Sequence, residues 1–189
     1  RIESGAVKVT REDCDLNDVV SKAADVIKPL AAERRQQFVA DLSQLYLPVH
    51  VDRDLLGQAI INLLSNAVKY TPEGGRVTLR SQMDELEATI TVEDTGYGIP
   101  PESLPKIFDR FYRVPEHQHA AKGTGLGLAF VQSITEDLHN GHIEVESTVG
   151  VGSKFSMRIP LGHQDTKRSK KSDANKKPES KPEAALADA

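Results

Sequence analysis

Between residues 55 and 67 the apolar positions recur in steps of three and four: Leu55, Leu56, Ala59, Ile60, Leu63, Leu64 and Ala67. That period puts them on one stripe of an amphipathic helix that faces a core. Asp52 stands where a side chain can cap the first turn, and Pro72 disfavours helical geometry at Thr71, so the pattern predicts a helix between these two points. A second face carries Gln58, Asn62, Asn66, Lys69 and Tyr70, with the two asparagines one turn apart. Asparagine inside a helix costs roughly 0.5–0.7 kcal/mol against alanine. Either these residues serve a ligand, with amide oxygens for a metal, a lysine for a phosphate and a ring for a base, or they form a plain solvated face. The helix alone leaves both readings open.

The remaining periods predict an α/β domain. Residues 6–10 alternate as a short strand, and Asp15 caps a helix from Leu16 towards Arg35 with Val19, Val20, Ala23, Ile27 and Leu30 on its apolar face. Residues 38–42 and 47–51 read as a pair of strands. Residues 76–83 and 87–93 alternate with period two around Asp84-Glu85 and predict an antiparallel hairpin. A short helix is expected over 103–108 and a mobile loop over 114–122. Leu128, Val131, Ile134, Thr135 and Leu138 then share a helix face that ends at Asn140-Gly141, and residues 142–147 and 153–159 complete the strands. From Gly162 onward, large apolar side chains are nearly absent and a disordered polar tail is expected.

Bulk composition narrows the picture. A chain of 189 residues suits one domain with extras, and 28 acidic against 24 basic residues give no field that points to nucleic acid or an anionic membrane. The single cysteine, Cys14, excludes an internal disulfide and a cysteine metal cluster. No apolar run approaches the roughly 18 residues a membrane helix needs. The expected setting is cytoplasmic, as part of a longer protein whose membrane anchor, if any, lies upstream of Arg1.

Candidate chemistry gathers in four further places. Asp94-Thr95-Gly96-Tyr97-Gly98-Ile99 sets a carboxylate at a strand end before a glycine turn, which reads as a pocket floor or as a plain turn. Phe108-Asp109-Arg110-Phe111-Tyr112-Arg113 crowds three aromatic rings beside two arginines, as anchors with phosphate binders or as packing with solvated charges. Gly123-Thr124-Gly125-Leu126-Gly127-Leu128 precedes a helix, where exposed N–H groups can cradle an anion, yet it is neither a lysine-bearing P-loop nor a strand-led dinucleotide fingerprint. Gly150-Val151-Gly152-Ser153 follows. Of the histidines, His117-x-His119 could be half a metal site, and His139 and His142 flank a helix end whose dipole favours an imidazolium.

The order is Asn-x3-Asn-x2-Lys-Tyr, Asp-x-Gly-x-Gly-Ile, Phe-x-x-Phe, Gly-x-Gly-x-Gly, then Gly-x-Gly-Ser. In that order the motifs resemble the catalytic ATP-binding domain of sensor histidine kinases, in the GHKL superfamily. The resemblance covers residues 2–161. It implies a two-layer α/β sandwich of the Bergerat type, its mixed, mainly antiparallel sheet covered by helices on one face. It also implies residues 1–14 as a linker and first strand, residues 15–161 as the catalytic domain, and 162–189 as the tail.

Carried over by position, Asn66 with Asn62 would hold Mg²⁺, Lys69 would meet phosphate and Tyr70 would line the adenine or ribose side. Asp94 would accept from the adenine amino group, beside Gly96, Gly98, Ile99 and Ser153. Phe108 and Phe111 would hinge a lid by packing, Arg110 and Arg113 would reach phosphates on closure, and Gly123, Thr124, Gly125, Leu126 and Gly127 would hold the triphosphate. The hydrolysing relatives place a water-activating glutamate where this chain has Asn62, which cannot remove a proton. The resemblance thus implies transfer of the γ-phosphate to a histidine in a dimerisation segment outside this sequence, for relay to a response regulator by a homodimeric parent. A serine kinase of the anti-sigma type and a non-catalytic nucleotide module are the rivals of the same fold.

Overall fold

A computed structural model describes residues 8–117 and 123–162. The elements run β1 (Glu12–Asp15), α1 (Leu16–Glu33), β2 (Gln37–Asp41), β3 (Pro48–Val51), α2 (Arg53–Tyr70), β4 (Arg76–Met83), β5 (Glu87–Asp94), α3 (Gly127–Gln132), β6 (His142–Thr148) and β7 (Gly152–Pro160). Strands β2-β4-β5-β7-β6 form one mixed sheet, parallel only between β2 and β4, and β1 pairs antiparallel with β3 in a second, two-stranded sheet.

Both long helices start as their sequence dictates. Asp15 accepts from the Asn17 N–H (3.0 Å) and Asp52 from the Leu55 N–H (3.1 Å), each as an N-cap. The expected stripe of α2 is buried, Leu55 partly, and packs with Val19, Val20, Ala23 and Ile27 of α1 over Val77, Leu79, Ile90, Val92, Phe155, Met157 and Ile159 of the sheet. The alternate strand positions face away from these helices. There Thr78, Thr89, Thr91 and Ser156 lie buried, and ion pairs such as Arg80–Glu93 (2.6 Å) and Lys154–Glu146 (3.0 Å) span the same face. Long side chains cover small hydroxyl residues, so this face needs no helix layer.

Several expectations shift. The first strand is 12–15 and not 6–10, because pairing with β3 and burial of Cys14 decide it over local alternation; residues 6 and 7 lie outside the described residues. Leu30 is exposed, since Ile27 and Ala31 occupy the i, i+4 inner row of α1. Strands β2 and β3 join different sheets. The segment 103–108 holds only a single 3₁₀ turn, Leu104–Lys106. The helix after the glycine cluster is α-helical for one short stretch and continues as a π-helix, Ser133–Asp137. Thr135 there donates its hydroxyl to the Val131 carbonyl (2.7 Å), a back-bond that bends helices. Part of the expected loop is ordered as a 3₁₀ turn, Pro115–His117, while residues 118–122 lie outside the described residues. Gly162, expected in the tail, donates to the Pro48 carbonyl (2.9 Å), and the tail from residue 163 lies outside the described residues.

His139, placed by the sequence at a helix end, is a structural residue held as a neutral ring and not as an imidazolium. It is buried, its Nε2 accepts from the Asp52 N–H (2.9 Å), and its Nδ1 faces the Ile134 carbonyl (2.7 Å). Accepting at one nitrogen requires the neutral ring, with the other nitrogen donating to the carbonyl. Burial holds its pKa below the ordinary value, against the pull of that carbonyl. The ring ties the start of α2 to the end of the π-helix.

Candidate functional site

Where the C-terminal half of α2 faces the glycine cluster, a cavity of about 340 Å³ opens beside the end of β5, within the range of small-molecule sites. Asp94 ends β5 in register with Ser153 of β7. Its Oδ1 accepts from the Gly96 N–H (2.8 Å) and the Ser153 N–H (3.4 Å), and the described residues donate nothing to Oδ2. Burial outweighs the two N–H groups and pushes this carboxyl up to about 6. Gly98 stands beside it at φ +72°, and a Cβ there would meet the Thr148 carbonyl oxygen at 2.1 Å, so only glycine fits.

The α2 side is held as firmly. Gln36, which the sequence reading did not single out, donates its amide to the Val68 carbonyl (2.9 Å) and to that of Thr71. The Tyr70 carbonyl accepts from the Tyr97 N–H (3.2 Å). These bonds satisfy the open C-terminal turn of α2 and fix it against the glycine turn after Asp94. Further up the helix, the Asn62 Nδ2 donates to the Gln58 carbonyl (3.0 Å). Its Oδ1 therefore points at α3, where a Cβ on Gly127 would lie 3.3 Å away, with the Asn66 amide at 4.0 Å from the same point. The Lys69 Nζ would be 3.5 Å from a Cβ on Gly123. An ammonium and two amides thus face the glycine cluster.

Gly125 shapes that cluster. At φ +72° its Cβ would fall 2.6 Å from the Phe111 carbonyl carbon, and its own carbonyl accepts from the Phe111 N–H (2.8 Å). Phe111 itself adopts φ +66° with its ring 72% exposed, so it does not pack as the hinge expected of it. Phe108 does pack, edge-on to Phe155 with ring centres 6.5 Å apart. Tyr112 adds a hydroxyl bond to Ser103 (2.9 Å).

Of the sequence candidates, Asn62, Asn66, Lys69, Tyr70, Asp94, Gly98, Ile99, Arg113, Gly123, Thr124, Gly125, Gly127 and Ser153 line the cavity together. Gly96 stands behind the wall as a donor to Asp94, while Arg110, Phe111 and Leu126 lie outside the lining and are exposed. Tyr112, His117 and Phe155 line the cavity without having been named for it. The half-site that His117-x-His119 could form involves His119, which lies outside the described residues; among the described residues no three His, Cys, Asp or Glu side chains gather to hold a metal. Among the described residues no helix is long and apolar enough to cross a membrane.

A helix-backed mixed sheet with a cavity at the end of a strand, between one long helix and a glycine-rich turn, defines a nucleotide-binding α/β sandwich. Residues 51–163 match the family described as histidine kinase-, DNA gyrase B- and HSP90-like ATPase, and the chain belongs to it. It is 40% identical over 158 residues to the sensor histidine kinase RppB of Synechocystis sp. strain PCC 6803, covering 82% of this chain and 35% of that protein. Among solved structures, the catalytic domain of histidine kinase ThkA superposes with a TM-score of 0.71 at 29% identity, covering 80% of this chain and 98% of that one. A second, ThkA in complex with the response regulator protein TrrA, gives 0.69 at 26% identity over 82% of this chain and 42% of that one. The chain spans about a third or less of the length of the curated relatives it matches. Its fold is that of histidine kinase catalytic domains.

Proposed function

We propose that this chain is the ATP-binding catalytic domain of a two-component sensor histidine kinase, and that it passes the γ-phosphoryl group of Mg-ATP to a histidine on a dimerisation segment outside these residues. The observation that carries this reading is the distribution of charge in the cavity. Asp94 is the one carboxylate among its lining residues and sits at the sheet end. Asn62 stands two turns of α2 before Tyr70, about 12 Å along the axis at 1.5 Å per residue, and offers an amide where hydrolysis would need a base.

The parts divide accordingly. The Asp94 Oδ2 accepts from the exocyclic amine of adenine, and Gly98 and Ile99 wall the base. Lys69, Arg113 and the N–H groups of Gly123 to Gly127 bind phosphate oxygens, with no side chain capping the start of α3 in competition. Arg110 and Phe111, outside the lining as described, reach the nucleotide only on closure. The Asn62 and Asn66 oxygens fit a hard cation, and two amides suit an ion shared with phosphate better than one caged by protein. Bound there, Mg²⁺ supplies charge neutralisation at the β- and γ-phosphates. In the transfer the bond from the β–γ bridging oxygen to the γ-phosphorus breaks, a bond to an imidazole nitrogen forms, and ADP leaves with the electron pair. The protein's share is position and charge, which these residues provide.

A response regulator is the onward partner, supported by the TrrA complex of ThkA, and the parent acts as a homodimer whose catalytic domain lies in the cytoplasm. The test is to supply a helical dimerisation segment bearing the acceptor histidine, with γ-labelled Mg-ATP. Acid-labile phosphate on that segment supports the proposal. Acid-stable phosphoserine on a partner, binding without transfer, or rapid release of free phosphate would each contradict it.

A further inference from the structure

His117 is the cavity-lining residue that this function does not use. It closes a 3₁₀ turn, Pro115–His117, with its N–H donating to the Val114 carbonyl (3.1 Å), and so stands at the edge of the segment that leads to the glycine cluster. Its ring centre lies 5.6 Å from that of Tyr70 at the end of α2, and 5.6 Å from that of Tyr97 in the turn after Asp94, tilted 35° and 44° to them. These separations fall in the range of paired aromatic rings. The three rings tie three separate chain segments into one aromatic wall at the Asp94 end of the cavity.

Three features distinguish this wall from ordinary packing. Tyr70 and the half-buried His117 line the cavity, while Tyr97, 42% exposed, backs His117 from outside the lining, so the rings border an opening and do not fill a core. The Lys69 ammonium lies 6.0 Å from the Tyr70 ring centre, so a positive charge for phosphate is already supplied there. Burial also lowers the His117 pKa, against the pull of Glu116, which keeps the ring neutral and flat at pH 7. A neutral flat ring beside two tyrosines suits a planar base and offers little to a phosphate.

We infer that His117 is a nucleotide-binding residue, whose imidazole, backed by Tyr97, completes with Tyr70 an aromatic wall for the purine of the bound nucleotide. This rests on the proposed ATP-binding reading of the cavity. The wall grips the base irrespective of the number of phosphates, and it couples the segment around residue 117 to an occupied site.

The experiment is calorimetric titration of Mg-ATP and of Mg-ADP into the unaltered chain and into His117→Ala and His117→Phe, with thermal unfolding to confirm that each variant folds. His117→Ala is expected to weaken both nucleotides by about tenfold and equally. His117→Phe, which keeps a flat ring, restores both to within about threefold of the unaltered chain. Unchanged affinity in His117→Ala would overturn the inference. So would a loss confined to Mg-ATP, which would mark a γ-phosphate contact, and so would a phenylalanine variant as weak as the alanine one. No binding of either nucleotide by the unaltered chain would instead overturn the nucleotide reading of the cavity, and this inference with it.

Discussion

The two ends of the cavity are built differently. At the sheet end, Asp94 is fixed by strand register, by two backbone N–H groups and by glycines that admit no side chain, and it is 8% exposed. At the far end, among the described residues, Phe108 packs edge-on to Phe155, the Tyr112 hydroxyl bonds Ser103 and the Phe111 N–H donates to the Gly125 carbonyl. The first end holds its desolvated carboxylate in place before any ligand arrives; under the proposed function, base selection belongs to this preorganised end and phosphate engagement to the end at the glycine cluster.

The largest effect should come from Asp94→Asn. Replacing a buried charged acceptor by an amide weakens Mg-ATP by roughly 100-fold, the scale of a lost charged hydrogen bond. The same change should stabilise the unliganded fold. The carboxyl is raised from 3.8 to about 6, two units or so, worth up to about 3 kcal/mol at pH 7 because the unfolded chain ionises more easily. A variant that binds Mg-ATP about 100-fold more weakly yet melts higher, by differential scanning calorimetry, is the expected outcome; equal affinity or a lower melting temperature would break the comparison.

Next comes Gly125→Ala, which forces a side chain into φ +72° and against Phe111. Its strain of about 1–2 kcal/mol falls on the end at the glycine cluster, so Mg-ATP affinity should drop about tenfold. Thermal unfolding of the sheet core should shift little, and a global loss of stability would show that the two ends are not separable.

The pH dependence sharpens the contrast further. As pH falls from 8 to 5, Asp94 takes up a proton near 6 and stops accepting from the base, so Mg-ATP affinity should fall by about tenfold per unit below that point. A raised carboxyl contributes most to stability below its unfolded value near 3.8 and loses that contribution as pH rises through 6. The melting advantage of Asp94→Asn should therefore shrink as pH falls from 7 to 4. The smallest effect is expected for Arg110→Ala, exposed and outside the lining, at under about threefold on Mg-ATP affinity, against a larger loss for Arg113→Ala. Titration of both variants ranks them.

Periodicity made the helical layer legible, because burial on one face dictates the stripe of α2 and the N-caps Asp15 and Asp52 announce their helices. The hairpin β4–β5 was as plain. The first strand was not, since its position depends on β3, a partner 33 to 39 residues away in register pairs such as Asp15↔Pro48 and Glu12↔Val51. Nor was the π-helix, whose i to i−5 backbone bonding, as from the Leu138 N–H to the Ser133 carbonyl, no apolar period reveals. At the site, the resemblance carried by the five ordered motifs pointed to thirteen residues that do line one cavity. Gln36 carried no local signal, and His117 and Tyr112 were singled out only within a histidine pair and an aromatic cluster, because their partners are carbonyls, rings and a hydroxyl that only the fold brings near. The neutral state of His139 was not legible either: the dipole argument assumes an exposed ring, and burial lowers its pKa.

The most direct measurement is a pair of calorimetric titrations on the unaltered chain, Mg-ATP against Mg-GTP. Adenine presents an amino donor to the Asp94 carboxylate, whereas guanine presents a carbonyl oxygen at the same ring position, and the mismatch leaves a buried charge unpaired. The account predicts saturable Mg-ATP binding at least about 100-fold tighter than Mg-GTP at pH 7.5. Equal affinity for the two, or no binding of either, would contradict it.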